Sequence, residues 1–210
     1  MVKDNSNYQN KIIVLGAGLV ICLLALSAYS NSLYVPFVLD DLHSFVKEPK
    51  VLGFTFDLAG LENLTSTKFG VRRYLPMLTF AFDLKWGGGS LAAFHVTNIA
   101  IHLLATFSLF FLLQSLFLFS KVNSVFVTND GRNYSTFLVI IIVGLWSLNP
   151  VQTNAVTYIV QRMTSMATLF YFLSFGSYLR GRFYHCQDGM TKKSLIFYLF
   201  SAISLLCAML

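Results

Sequence analysis

The chain has 210 residues, of which 56% are apolar and only 11% charged. Soluble domains carry about a quarter charged residues, so this balance excludes an ordinary soluble domain. The net charge of +6 forms no basic stripe with interleaved aromatic residues, so nucleic acid is not an expected partner. The excess cations instead sit in short loops between apolar runs, as in a protein oriented in a lipid bilayer.

A bilayer-spanning helix needs about 20 mostly apolar residues. The first such run covers residues 12–29. Lys3 and Lys11 before it, and Ala25-Leu26-Ser27 near its end, would also suit a cleaved signal peptide. The run is long for that role and the chain stays membranous beyond it, so a retained anchor is expected.

Residues 31–89 form the one large hydrophilic stretch. It opens on Phe37-Val38-Leu39-Asp40-Asp41, an acidic pair directly after an apolar run. Phe54, Phe56, Leu58, Leu61 and Leu64 follow at amphipathic spacing. Next comes an apolar run over residues 74–82, with Pro76 where a first helical turn tolerates proline. Short amphipathic helices lying in the membrane interface and walling a cavity are expected. A peripheral cap without a site is the plainer alternative. Asn63-Leu64-Thr65 matches a glycosylation acceptor.

The second span is predicted over residues 92–119, with Ser90 as its N-cap after the helix-breaking run Gly87-Gly88-Gly89. The third, over 135–148, is short and ends at Asn149-Pro150, because proline disfavours helical backbone at the residue before it. The fourth covers 163–179 and the fifth 195–210. The fifth is still apolar at Leu210, which suggests a chain truncated at its C-terminus. Lys3, Lys11, Lys121, Arg132, Arg180, Arg182, Lys192 and Lys193 fall on one side of the predicted spans, and Arg162 alone in the short loop opposite. The positive-inside rule then places the N-terminus in the cytoplasm and the long loop outside.

Asp40 and Asp41 are the leading candidates for chemistry. Neighbouring carboxylates repel, which raises one pKa and prepares a base or a metal ligand. An ordinary acidic turn at the membrane surface is the plain alternative. Arg162 could bind a phosphate bidentately or simply snorkel to the interface. Arg72 and Arg73 are a second candidate for anion binding. His95, Asn98 and His102 share one face of the second span, where interhelical hydrogen bonding is the plain role. Cys22 and Cys207 lie in apolar runs and Cys186 in a basic loop, so no disulfide framework or zinc site is expected.

Several segments together resemble a known family. Phe37-Val38-Leu39-Asp40-Asp41 resembles the acidic motif after span one in GT-C fold glycosyltransferases. The run from Arg72-Arg73-Tyr74 to Leu78-Thr79-Phe80-Ala81 resembles the LTFA segment in the first loop of one branch. Phe94, His95, Asn98 and His102 match the start of that branch's second span. Residues 149–162, from Asn149-Pro150 through Ala155-Val156 to Arg162, resemble its motif His-Pro-x-x-x-Glu-Ala-Val followed by arginine. The branch is the transmembrane and tetratricopeptide-repeat O-mannosyltransferase-like family.

The resemblance implies an all-α, polytopic helical bundle of GT-C type with a large first outer loop. It implies a transferase that moves a sugar from a polyprenyl-phosphate-linked donor to a protein or glycan hydroxyl. Asp40 or Asp41 would activate the acceptor, with Asp40 preferred, and Arg162 would bind the leaving lipid phosphate. Arg72, Arg73, His95 and His102 would line the substrate site. The resemblance implies no definite cofactor; a divalent metal, if one takes part, would fall to Asp40 and Asp41. The bilayer, the lipid-linked sugar and the acceptor would be the partners, in a bacterial inner membrane or, in a eukaryote, the endoplasmic reticulum. Asn149 and Asn154 depart from the family's histidine and glutamate, which removes two titratable groups from the second outer loop. A non-catalytic scaffold, accessory subunit or degenerate relative is the alternative. A transporter is disfavoured because no paired broken helices are visible.

Overall fold

The computed structural model describes residues 2–38, 40–67, 70, 72–127 and 134–210, with side chains left aside at 2–11, 120 and 121. Leu39 of the acidic motif, Lys68 and Arg132 lie outside the described residues, as do the side chains of Lys3, Lys11 and Lys121.

Among the described residues the fold is helical, with no strand. Helix α1 (Val2–Tyr29) runs into a 3-10 turn, Ser30–Tyr34. The long loop folds into a π turn, Leu42–Val46, and three helices: α2 (Pro49–Leu52), α3 (Leu58–Thr65) and α4 (Tyr74–Trp86). Then come α5 (Leu91–Leu116), the short α6 (Ser120–Asn123) and α7 (Ser135–Ser147). The chain continues as α8 (Gln152–Thr157), a 3-10 turn Ile159–Gln161, α9 (Arg162–Asp188) and α10 (Lys192–Met209).

Local sequence explains the boundaries. The Asp57 side chain accepts from Gly60 N at 2.7 Å and caps α3. Pro76 sits in the first turn of α4, as its missing N–H allows. Gly88 and Gly89 take positive φ (61° and 68°), which only glycine adopts without strain, and Ser90 then caps α5. Asn149 Oδ1 accepts from Val151 N at 2.9 Å, closing the turn that ends α7.

Each expected span lies on a helix, and the long helices alternate in direction. Arg162 meets Asn98 and Arg180 meets Ser115, so α5 and α9 run parallel. Ser174 bonds to Ser201 and Gly181 packs on Tyr198, so α9 and α10 run antiparallel. Tyr29 and His102 both reach the Ser147 carbonyl, which sets α1 and α7 antiparallel to α5. Among the described residues, three stretches are long and apolar enough to cross a bilayer: Ile12–Tyr34, Leu91–Leu116 and Lys192–Met209. Helix α7 is apolar but has 13 residues, and α9 has 27 but carries Arg180, Arg182 and Asp188 in its second half.

The alternation gathers the long loop, α8 and the start of α9 at one end of the bundle. There Phe45, Val51, Phe54, Leu64, Met77, Phe80, Phe94 and Ile159 form a buried core. The loop is thus a packed cap. Phe56, Phe82 and Trp86 stack beside it on the outside, with Phe56 and Trp86 centroids 4.4 Å apart. Exposed aromatic clusters of this kind suit the membrane–water interface.

Candidate functional site

The acidic pair divides into one exposed and one buried carboxylate. Val35 leaves the 3-10 turn in extended backbone, residues 36–38 belong to no regular element, and Asp40 lies in the turn that leads into the π turn. Adjacent residues at a helix start do not face each other, so the two side chains take different directions. Asp41 is fully buried. Its Oδ2 accepts from Val38 N at 3.0 Å and its Oδ1 from Val160 N at 2.8 Å. Burial raises its pKa above the ordinary carboxylate value and the charge of Asp40 adds a smaller rise, while the two backbone N–H groups and nearby His95 oppose it. Asp40 is exposed; its backbone N donates to Tyr158 Oη at 3.2 Å and its carbonyl accepts from Ser44 N. The π turn that follows is a rare helix form, often found at functional sites.

Metal binding by the pair does not fit this geometry. Asp41 already spends both carboxylate oxygens on backbone N–H groups, which leaves Asp40 as a lone carboxylate. Among the described residues no group of three or more His, Cys, Asp or Glu side chains comes together as a ligand set.

His95, Asn98 and His102 lie on the buried face of α5. His95 Nε2 donates to the Val35 carbonyl at 2.9 Å and so ties α5 to the segment after the 3-10 turn; its buried Nδ1 has no partner. Asn98 Nδ2 donates to the carbonyls of Val156 (3.1 Å) and Ile159 (3.4 Å). His102 Nε2 donates to the Ser147 carbonyl at 2.9 Å, and its ring stacks on Trp146. A cavity of about 210 Å³ opens beside His102, Trp146 and Gln152. The histidines act at different places, one at the acidic turn and one at the end of α7.

Arg162 departs from the expectation of an exposed phosphate ligand. It is 0% exposed and lies wholly inside the protein. Its Nη1 meets Asp83 Oδ2 at 2.7 Å as an ion pair and Thr79 Oγ1 at 3.2 Å. Nε donates to Asn98 Oδ1 at 2.7 Å and Nη2 to the Phe94 carbonyl at 2.8 Å. The guanidinium also lies 4.4 Å above the Phe80 ring. The reason is positional: Arg162 begins α9 where that helix is pressed against α4 and α5, so its side chain points into the core. A buried guanidinium is tolerated because nearly all its donors are matched. Asp83, which completes this cluster and accepts from Thr97 at 2.7 Å, has no mark in the sequence beyond being an acid inside an apolar run.

Arg72 and Arg73 are exposed at the entry to α4. Arg73 Nη1 lies 3.0 Å from Met163 Sδ. Both arginines line a cavity of about 190 Å³ against the start of α9 and the end of α10.

The segment 158–163 joins these parts. Tyr158 holds Asp40, Val160 holds Asp41, Arg162 anchors the segment to α4 and α5, and Met163 meets Arg73.

The fold and site define an all-helical membrane-type protein with an acid and a cation pair at one end of the bundle. Comparison with known proteins narrows the class. The chain is 30% identical over 205 residues to protein O-mannosyl-transferase TMTC1 of Homo sapiens, covering 93% of the chain and 22% of that protein. Its mouse counterpart is also 30% identical over 205 residues, with 20% of its length covered. Protein O-mannosyl-transferase Tmtc2 of Drosophila melanogaster is 28% identical over 169 residues, covering 76% of the chain and 16% of that protein. The chain is therefore a distant relative of glycosyltransferases, and it spans about a fifth of the length of these curated relatives. No family model and no solved structure matches it.

Proposed function

We propose that this chain carries the acceptor-activating part of a membrane glycosyltransferase site of GT-C type. The donor is a polyprenyl-phosphate-linked sugar and the acceptor a protein or glycan hydroxyl, on the non-cytoplasmic face. The observation that carries the reading is the division of the acidic pair. Asp41 is consumed in bracing the turn, and the brace leaves Asp40 exposed at the loop end of the bundle. The relatives' names support a sugar-transfer reaction, and the one-sided cations support the orientation.

In this reading the Asp40 carboxylate takes the proton from the acceptor hydroxyl. The acceptor oxygen forms a bond to the anomeric carbon as the bond from that carbon to the phosphate oxygen breaks. The lipid phosphate leaves with the bonding pair, and inversion at the sugar follows. Asp41, His95 and Arg162 act as positioning residues: they hold the turn and the segment beneath it without touching substrate. The test is glycan mass spectrometry of acceptor proteins from cells carrying the wild type or Asp40→Asn. Loss of the added hexose with the variant inserted and folded supports the reading. Full transfer in Asp40→Asn, Asp41→Asn and the double variant ends it.

The second reading is an accessory or degenerate relative. Asn149 and Asn154 favour it, because titratable groups common in the resembled motif are missing there. It predicts wild-type glycan profiles for every Asp40 variant.

A further inference from the structure

The asparagine triplet of the long loop has no part in the transferase reading, and the sequence holds a second one. Asn63-Leu64-Thr65 and Asn133-Tyr134-Ser135 both match the N-linked glycosylation acceptor, an asparagine with a hydroxyl residue two places on. They fall on opposite sides of the predicted spans: one in the long loop, the other beside Arg132 in the basic loop before α7. We propose that Asn63 carries an N-linked oligosaccharide and that Asn133 does not. Asn133 lies outside the described residues, so its half of the contrast rests on the positive-inside rule.

Asn63 sits in the last turn of α3 and is exposed, as are Glu62 and Thr65. Leu64 between them is fully buried in the core of the cap, which turns its neighbours outward. The Asn63 carbonyl accepts from Ser66 Oγ at 2.9 Å, while its side-chain amide makes no hydrogen bond to another described residue. Thr65 Oγ1 donates to the Glu62 carbonyl at 2.7 Å, a local bond that opens when the helix end frays. With eight residues α3 is too short to persist without its packing, so the triplet is open to an enzyme before the cap closes. It lies near the middle of the chain between Tyr34 and Leu91, well away in sequence from both membrane-crossing stretches that flank the loop. Ser135 of the other triplet, by contrast, is the first residue of apolar α7. At 3.6 residues per turn, Asn63 lies about 140° round α3 from Leu58, which is 86% exposed. One edge of α3 is therefore open to lipid, and another can carry a bulky, solubilising glycan into water.

In the transfer, Asn63 Nδ2 gives up one proton and bonds to the anomeric carbon of a lipid-diphosphate-linked oligosaccharide, the co-reactant of a secretory membrane. The bond from that carbon to the diphosphate oxygen breaks, and the diphosphate leaves with the bonding pair. The matched relatives are human, mouse and fly proteins, which fits a chain made on such a membrane. The site needs the long loop to lie outside; it does not need the chain to be a transferase.

The test expresses the full chain in cultured animal cells and compares its gel mobility before and after treatment with a peptide N-glycosidase. The wild type should shift by one step. Asn63→Gln and Thr65→Ala should each lose the shift, Thr65→Ser should keep it, and Asn133→Gln should leave it unchanged. Peptide mass spectrometry of the treated wild type should find Asn63 deamidated, a readout that does not depend on any variant folding. A wild type that does not shift overturns the proposal and leaves the Asp40 reading standing. A shift that Asn133→Gln removes also overturns it, and takes the outer placement of the long loop with it.

Discussion

Two groups of arginine sit close together at the loop end of this protein and have opposite environments. Arg162 is enclosed by Asp83, Asn98, Thr79 and the Phe94 carbonyl, over the Phe80 ring. Arg72 and Arg73 stand exposed at a cavity, where Arg73 meets the Met163 sulfur of α9. The acidic pair repeats the contrast within two residues, with Asp41 buried and Asp40 exposed. The buried member of each pair of environments holds elements together, and the exposed member faces solvent. A charge in a short loop between spans therefore does not announce which it is. The partners brought to it by other elements decide.

The sharpest break of this comparison is at Arg162. Arg162→Gln leaves Asp83 buried without its counter-charge and should cost about 3–5 kcal/mol, with Asp83→Asn in the same range. Thermal unfolding of the detergent-solubilised protein measures both. The double variant should be less unstable than the two losses added, since neither charge is then stranded. A change below about 1 kcal/mol in Arg162→Gln would mean the residue is not the internal strut described here.

The acidic pair should separate next. On the transferase reading, Asp40→Asn lowers transfer by about 10²–10⁴ and leaves stability nearly unchanged. Asp41→Asn turns one acceptor into an N–H donor facing a backbone N–H, and should cost about 1–3 kcal/mol. Paired unfolding curves and hexose transfer assays check the contrast. Equal effects of the two on both readouts would erase it.

A smaller effect tests buried against open faces of the shaft. A Cβ on Gly176 would lie 2.7 Å from the Phe111 ring, whereas one on Gly16 meets nothing within 4 Å. Gly176→Ala should therefore destabilise by about 1–3 kcal/mol, and Gly16→Ala should be neutral or slightly stabilising. The same unfolding assay compares them.

The smallest effect is in acid. Hydrogen bonds from Thr55 and from Gly60 N lower the Asp57 pKa below its ordinary 3.8. Its contribution to stability is present above that value and fades as pH falls through the lower folded pKa. Asp41 has the opposite sign: its raised pKa means the folded state takes up a proton first, so acidification through that range relieves a cost. Unfolding temperatures measured from neutral pH down to about pH 3 should fall less steeply in Asp57→Asn than in the wild type, and more steeply in Asp41→Asn.

Much of the framework was legible in the chain itself. Apolar runs located the long helices, because burial in lipid demands length and little else. Gly88, Gly89, Ser90 and Asn149-Pro150 marked the ends of helices through backbone chemistry that acts locally. The apolar spacing of the long loop anticipated helices at α3 and α4, although α4 is apolar around most of its surface rather than amphipathic, and the shared face of His95, Asn98 and His102 follows from helical period alone. The partners of that face were not legible: Val35, Val156, Ile159 and Ser147 come from distant segments.

Composition and periodicity thus determined that the protein is helical, membrane-bound and built around a polar loop end with an acidic pair. Those are properties of single segments in water or lipid. Which carboxylate is exposed, which arginines lie at the surface, and the pairing of Asp83 with Arg162 were decided only by tertiary packing. Each depends on two or three elements meeting at one point, and a residue's burial is set by its neighbours in space rather than by its own side chain.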